Sequence, residues 1–179
     1  MRIIRTLSAS LFLAIAACGQ AAAPSEAGAQ TAAPASTELS AADRTAILAS
    51  QNLRADARGL VENECGDRVE PQILQVDLGG DVGRAALLAM GGGPSMASCY
   101  GDGPGLTLLK REGANWRAIY SSRGGFMAIM PTRTRGVADI AFAGPGFDYP
   151  LHVWNGTTYV RADRSVGDAQ LEGATFLPQ

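Results

Sequence analysis

Hydrophobic positions change their spacing several times along the 179 residues. Leu7 to Ala17 is a short uncharged apolar run behind Arg2 and Arg5. From Gly19 to Glu38 the chain is Ala, Pro, Ser, Gly, Gln and Thr, with nothing large to bury. Ala46, Ala49, Leu53, Ala57 and Leu60 then recur at steps of three and four, which is the stripe of a helix. Ser40 ahead of the stripe is a capping residue, and Asp43 three positions later places a carboxylate in the first turn. This helix is predicted to stop at Gly59 or Gly66 and to cover one face or end of a sheet.

From Glu70 onward the pattern becomes short strands parted by glycine-rich turns. Strands are predicted near Gln72–Asp77, Arg84–Met90, Leu106–Arg111, Trp116–Tyr120, Phe126–Met130, Val137–Ala143, Pro150–Trp154 and Thr158–Arg161. Asn155-Gly156 carries the signature of a two-residue type I′ hairpin, and Glu112-Gly113-Ala114-Asn115 reads as a longer hairpin. Strands follow one another about every ten residues without helices between them, so the sheet is expected to be mainly antiparallel. The fold class is therefore mainly β: an antiparallel sheet or small β domain with one N-terminal helix. Strand alternation puts most of Trp116, Trp154, Tyr100, Tyr120, Phe126 and Tyr159 in the core, with one or two left to line a groove.

The N-terminus has the layout of a secretory signal, and its apolar run is too short to cross a bilayer. Ile15-Ala16-Ala17-Cys18 resembles the lipobox of bacterial lipoproteins. That resemblance implies cleavage after residue 17, diacylglyceryl transfer to Cys18 and acylation of the new amine. Two or more acyl chains anchor stably where one is marginal. Gly19, rather than Asp, after the cysteine implies the outer membrane of a Gram-negative cell, with the domain facing the periplasm. The expected organisation is a signal over 1–17, Cys18 with a disordered linker over 18–39, and one β-rich domain over 40–179. A flexible linker of this length spans about 25 Å.

Removing residues 1–17 takes away Arg2 and Arg5, so the net charge falls from −2 to −4. A mildly acidic domain is a poor nucleic-acid binder, and none is expected as a partner. About 140 residues remain from Ser40, enough for one real core. Cys65 and Cys99 are the two cysteines of this part. In an oxidising compartment the default is a disulfide, with two free buried cysteines as the alternative. The absence of Cys-x-x-Cys argues against zinc or redox chemistry.

A second resemblance spans Glu70 to Val160. It is carried by Asp77-Leu78-Gly79-Gly80-Asp81, Cys99-Tyr100-Gly101, Gly113-Ala114-Asn115-Trp116, Pro131 to Gly136, and Trp154-Asn155-Gly156-Thr157-Thr158-Tyr159, in that order. The series resembles uncharacterised periplasmic and lipoprotein domains that share their turns with FG-GAP-type propeller blades. It implies a propeller-fragment-like β domain, since the chain is too short for a full ring. It brings no activity and no catalytic residues.

Candidate chemistry is sparse. Asp77 to Gly83 offers two carboxylates where calcium takes six to eight oxygens, so it reads as a tight turn rather than a metal site. His152 is the single histidine and lies in an alternating strand, with no Gly-x-Ser-x-Gly elbow in the chain. Arg123, Arg133 and Arg135 flank one strand; Arg133 and Arg135 would hold a carboxylate or phosphate if alternation points them the same way. The glycine-rich stretches around Cys99 lack the ending of a phosphate loop. No metal, cofactor or catalytic set is expected. The favoured reading is a non-enzymatic binding module of the envelope, whose partner is another envelope protein or peptidoglycan. The alternatives are a hydrolase using Asp77, Asp81 or Glu70, and a purely structural component.

Overall fold

The computed structural model describes residues 39–91, 93, 99–101, 103–143 and 148–178. The expected signal, Cys18 and the linker as far as residue 38 lie outside them, as do parts of the two glycine-rich stretches. The described residues all belong to one compact unit, Ser36–Gln179.

Helix α1 (Ala41–Ser50) begins where the capping residues put it. The Ser40 hydroxyl accepts the Asp43 N–H at 3.1 Å and donates to Asp43 Oδ2 at 2.8 Å. Asp43 also meets Arg111 at 2.9 Å, which ties the helix start to the sheet. Those hydrogen bonds from Ser40, with the charge of Arg111, hold the Asp43 carboxyl below its ordinary value. Replacing Ser40 with Ala is expected to lower stability by about 1 kcal/mol in urea unfolding; an unchanged midpoint would show the cap to be redundant with packing.

The helix ends well before Gly59. Asn52 takes φ +59°, the Asn52 N–H returns to Ala49 O at 3.0 Å, and the Leu53 N–H returns to Leu48 O at 2.9 Å. This is a Schellman stop with asparagine in the left-handed position. Leu53 closes it by packing in the same cluster as Leu48. The buried face also differs from the expected stripe: Ile47 and Leu48 are buried while Ala49 and Ala57 are exposed. The larger apolar side chains turn inward because they remove more area from water.

All eight predicted strands are present. The first sheet has the order β3-β4-β5-β6, from β3 (Gln72–Asp77), β4 (Arg84–Met90), β5 (Gly105–Glu112) and β6 (Asn115–Ser122). The second has the order β10-β9-β8-β7-β11, from β7 (Phe126–Thr134), β8 (Val137–Ala143), β9 (Tyr149–Trp154), β10 (Tyr159–Val166) and β11 (Thr175–Leu177). Every pairing is antiparallel. The two sheets are thus consecutive four-stranded meanders, the second extended by the C-terminal strand. A small third sheet pairs β1 (Val61–Glu62) with β2 (Arg68–Val69); these two strands and β11 are too short to leave an alternation in the sequence.

Three local expectations are corrected. The loop at Asn155-Gly156 is not a two-residue turn, because Tyr159 pairs with Trp154. Asn155 Oδ1 instead accepts the N–H of Thr157 and Thr158 at 2.8 and 2.9 Å, which builds a four-residue connection. The other hairpin is the tight one: Glu112 pairs with Asn115 around Gly113, whose φ is +64°. Strand β7 runs past Pro131 to Thr134, since the register shifts between Ile129 and Arg133 and proline sits where the ladder is broken.

The meanders pack face to face. Val76, Leu87, Leu108 and Ile119 from the first meet Met127, Ile140, Trp154 and Tyr159 from the second. Trp154 lies in this core against Tyr159, with Lys110 Nζ 5.5 Å from its ring. The outer face of the first sheet is covered by α1 and the β1–β2 ribbon, through Ile47, Val61, Val69, Leu88 and Trp116. Strand β4 is therefore buried on both faces, which is why Ala85 to Met90 is unbroken apolar sequence. The outer face of the second sheet packs Met130, Leu151 and Val166 under the C-terminal segment at Leu171 and Ala174. Phe126 faces outward and is exposed, so alternation does not bring it into the core.

Candidate functional site

A cleft of about 400 Å³ opens on the helix side of the first sheet. This lies within the range of small-molecule and peptide sites. Its walls come from Gln51 and Leu53 after the helix, Glu62 to Glu64 at the ribbon, Leu88 and Met90 on β4, and the ends of β5 and β6. Tyr100 completes the apolar part. Thr107, Ser121 and Arg123 supply polar groups, while Ser122 pairs with Leu106 and turns its side chain toward the core between the sheets. At the rim Arg123 pairs with Glu64 at 2.7 Å.

The disulfide holds this cleft together. Cys65 and Cys99 are joined, with Cα atoms 5.9 Å apart at a sequence separation of 34. Cys65 sits in a turn organised by Asn63, whose Oδ1 accepts the N–H of Cys65 and of Asp67, each at 2.9 Å. Cys99 precedes Tyr100, whose ring lies over Gly105: a Cβ there would stand 2.7 Å from Tyr100 Cε1. Gly105 has no side chain because the aromatic ring occupies its place.

Two lining residues carry unsatisfied polar atoms. Asn63 is buried, and neither its Nδ2 nor the Ser122 hydroxyl has a hydrogen-bond partner among the described residues. Sequence reasoning missed both. The signal was Asn63-x-x-x-Asp67 around Gly66, a side-chain-capped turn.

The sequence-predicted residues lie elsewhere. Arg133 Nη1 donates to the carbonyls of Leu78 at 3.0 Å and Gly136 at 3.3 Å, so its guanidinium ties one meander to the other. Arg135 sits past the end of β7 with φ +56°, where strand alternation no longer applies, and its Nη1 faces Gly156. The Leu78 carbonyl also accepts the Ala138 N–H at 2.8 Å. This corner explains the paired glycines. A Cβ on Gly80 would meet Val137 Cγ2 at 2.7 Å, and one on Gly79 would collide with Arg133 Nη1.

The carboxylates of the same turn are engaged. Asp77 Oδ1 accepts the Gly79 N–H at 3.0 Å, and Asp81 pairs with Lys110 at 3.2 Å. Glu70 stands before the far end of β3, about 23 Å from Asp77 by strand rise, beyond the separation of a glycosidase carboxylate pair.

His152 packs among aromatic rings. Tyr120 lies edge-on to it at 4.8 Å, and Phe142 stacks on Tyr120 at 4.4 Å. The Tyr120 hydroxyl is 3.4 Å from His152 Nε2. Burial, reinforced by the charge of Arg161 across the strand pair, pushes His152 below its ordinary value, and burial pushes Tyr120 up to about 12. Tyr120, Phe142 and His152 thus form one packing unit of three rings.

The fold defines the class of this protein as mainly β: the described residues form three antiparallel sheets and one α-helix ahead of them. Comparison with known proteins finds no matching family model, no matching curated protein and no matching solved structure.

Proposed function

We propose that this chain is a lipid-anchored protein of the bacterial cell envelope, held at Cys18, whose folded domain binds a partner in the helix-side cleft without chemical turnover. The observation that supports it is the make-up of the cleft: an apolar floor at Leu88, Met90 and Tyr100 under a polar rim at Thr107, Ser121 and Arg123. Asp77 and Asp81, two of the carboxylates that hydrolysis would use, are held by the Gly79 N–H and by Lys110. An envelope protein or a peptidoglycan fragment is the expected class of partner.

A photo-crosslinking residue at Thr107 in living cells tests the reading, with Val160 on the outer face of the second sheet as the control site. A recurrent adduct from Thr107 and not from Val160 is expected. Adducts from Val160 alone would move the binding surface, and none from either would favour a structural component. Replacing Cys18 with Ser is expected to abolish palmitate incorporation and release the protein from the membrane fraction; retention of the label would overturn the anchor.

A further inference from the structure

We infer that the end of the domain that carries the turns at Gly80, Gly113, Arg135 and Gly156 docks on the anionic phospholipid headgroups of the membrane that holds the anchor. This rests on the Cys18 anchor proposed above and adds which end of the domain faces the bilayer. The turns of both meanders meet at this end. A Cβ on Gly80 would touch Val137, one on Gly156 would stand 3.5 Å from Arg135 Nη1, and Arg117 Nη1 donates to the Thr157 carbonyl at 3.1 Å. The chain also enters the domain here. Ser40 caps α1, and Asp43 is held by Arg111, next to the Glu112–Asn115 hairpin. Residues 19–38 therefore join Cys18 to this end.

Cations outnumber carboxylates at these turns. Lys110 is matched by Asp81 at 3.2 Å, Arg111 by Asp43 at 2.9 Å and Arg117 by Glu112 at 2.7 Å. Arg84 stands across from Asp77 in the β3–β4 register. Arg133 gives its Nη1 to two carbonyls, which leave its charge uncancelled. Arg135 is exposed and has no ion pair among the described residues. Arg133 and Arg135 are thus in excess, on a chain whose residues 18–179 carry a net charge of −4. A negative surface attracts this end and repels the rest, which orients the domain. The tether keeps this end concentrated at the surface, so an excess of two charges suffices. Docked this way, the cleft is turned away from the bilayer. It is bounded by Met90, Gly105 and Ser122, at the other ends of β4, β5 and β6, with Glu62 and Glu64 beside them.

The test uses the lipidated, ¹⁵N-labelled protein in nanodiscs of equal parts phosphatidylethanolamine and phosphatidylglycerol, doped with a gadolinium-chelating lipid. Amide relaxation at Gly113 and Gly156 is expected to be enhanced roughly fivefold more than at Glu64 and Phe126. The contrast is expected to vanish in phosphatidylcholine discs and in about 0.5 M sodium chloride, where charges are screened within a few ångströms. Arg84→Gln/Arg135→Gln alters two exposed side chains and is expected to reduce the contrast severalfold. Equal enhancement at both ends on protein that co-elutes with the discs overturns the docking and leaves the anchor standing. Greater enhancement at Phe126, whose ring is 45% exposed, also overturns it by giving that face to the membrane. An undiminished contrast in phosphatidylcholine discs overturns the role of charge, and with it the docking. Protein that elutes apart from the discs overturns the anchor and the docking together.

Discussion

Opening the Cys65–Cys99 disulfide is expected to destabilise the domain by about 3–4 kcal/mol. The bond links positions at a sequence separation of 34, and most of its effect in the chain-entropy model falls on the unfolded state. Urea unfolding of the oxidised protein, the reduced protein and the Cys65→Ser/Cys99→Ser variant measures it, with Trp116 and Trp154 as buried fluorescent reporters. The slope of free energy against urea is expected to rise on reduction, because an uncrosslinked chain exposes more surface when it unfolds. The cleft is expected to suffer as well. Cys65 belongs to the turn that Asn63 organises, and Cys99 precedes the Tyr100 that floors the cleft. A change below about 0.5 kcal/mol would mean that packing of Tyr100 against Leu88 and Trp116 already fixes the segment.

Gly80→Ala is expected to cost about 2–4 kcal/mol, and Gly83→Ala only about 1 kcal/mol. The two glycines share a turn and the same backbone region, with φ +56° and +57°. They differ in what a Cβ would meet. At Gly83 nothing lies within 4 Å, while at Gly80 the backbone of Gly136 lies at 3.0 Å and Val137 Cγ2 at 2.7 Å. The pair therefore separates the cost of a left-handed conformation from the cost of a close approach. Equal losses in the two variants would show that the corner between the meanders yields freely. The corner is worth probing because three bonds converge there: Ala138 N–H and Arg133 on the Leu78 carbonyl, and Arg133 on Gly136.

The same corner shows what a motif read in isolation leaves out. Asp77-Leu78-Gly79-Gly80-Asp81 reads as a tight turn from its neighbours in sequence, and it is one. Its glycines answer to Arg133, Gly136 and Val137, more than fifty residues away. Arg133 was singled out for its charge and is in use for its geometry, since a guanidinium presents several donors in one plane to two carbonyls at once. The disulfide was legible for the opposite reason: two cysteines in the domain leave one pairing to make.

Local periodicity by itself determined the strand series, the helix start and the antiparallel class. Alternation and capping are properties of a few consecutive residues, and Ser40, Asp43 and the run from Ala85 to Met90 state them directly. The helix stop was also written locally, in Asn52, but glycine at Gly59 was the louder signal. The division into two facing meanders, the docking of Gly80 against Val137 and the cleft itself were decided only in three dimensions. The cleft draws Leu53, Asn63, Met90, Tyr100 and Ser122 from separate segments, and no two of them form a pattern along the chain. Burial in the core is a repeating demand that leaves a period in sequence; a binding surface is a single convergence of side chains, and it leaves none.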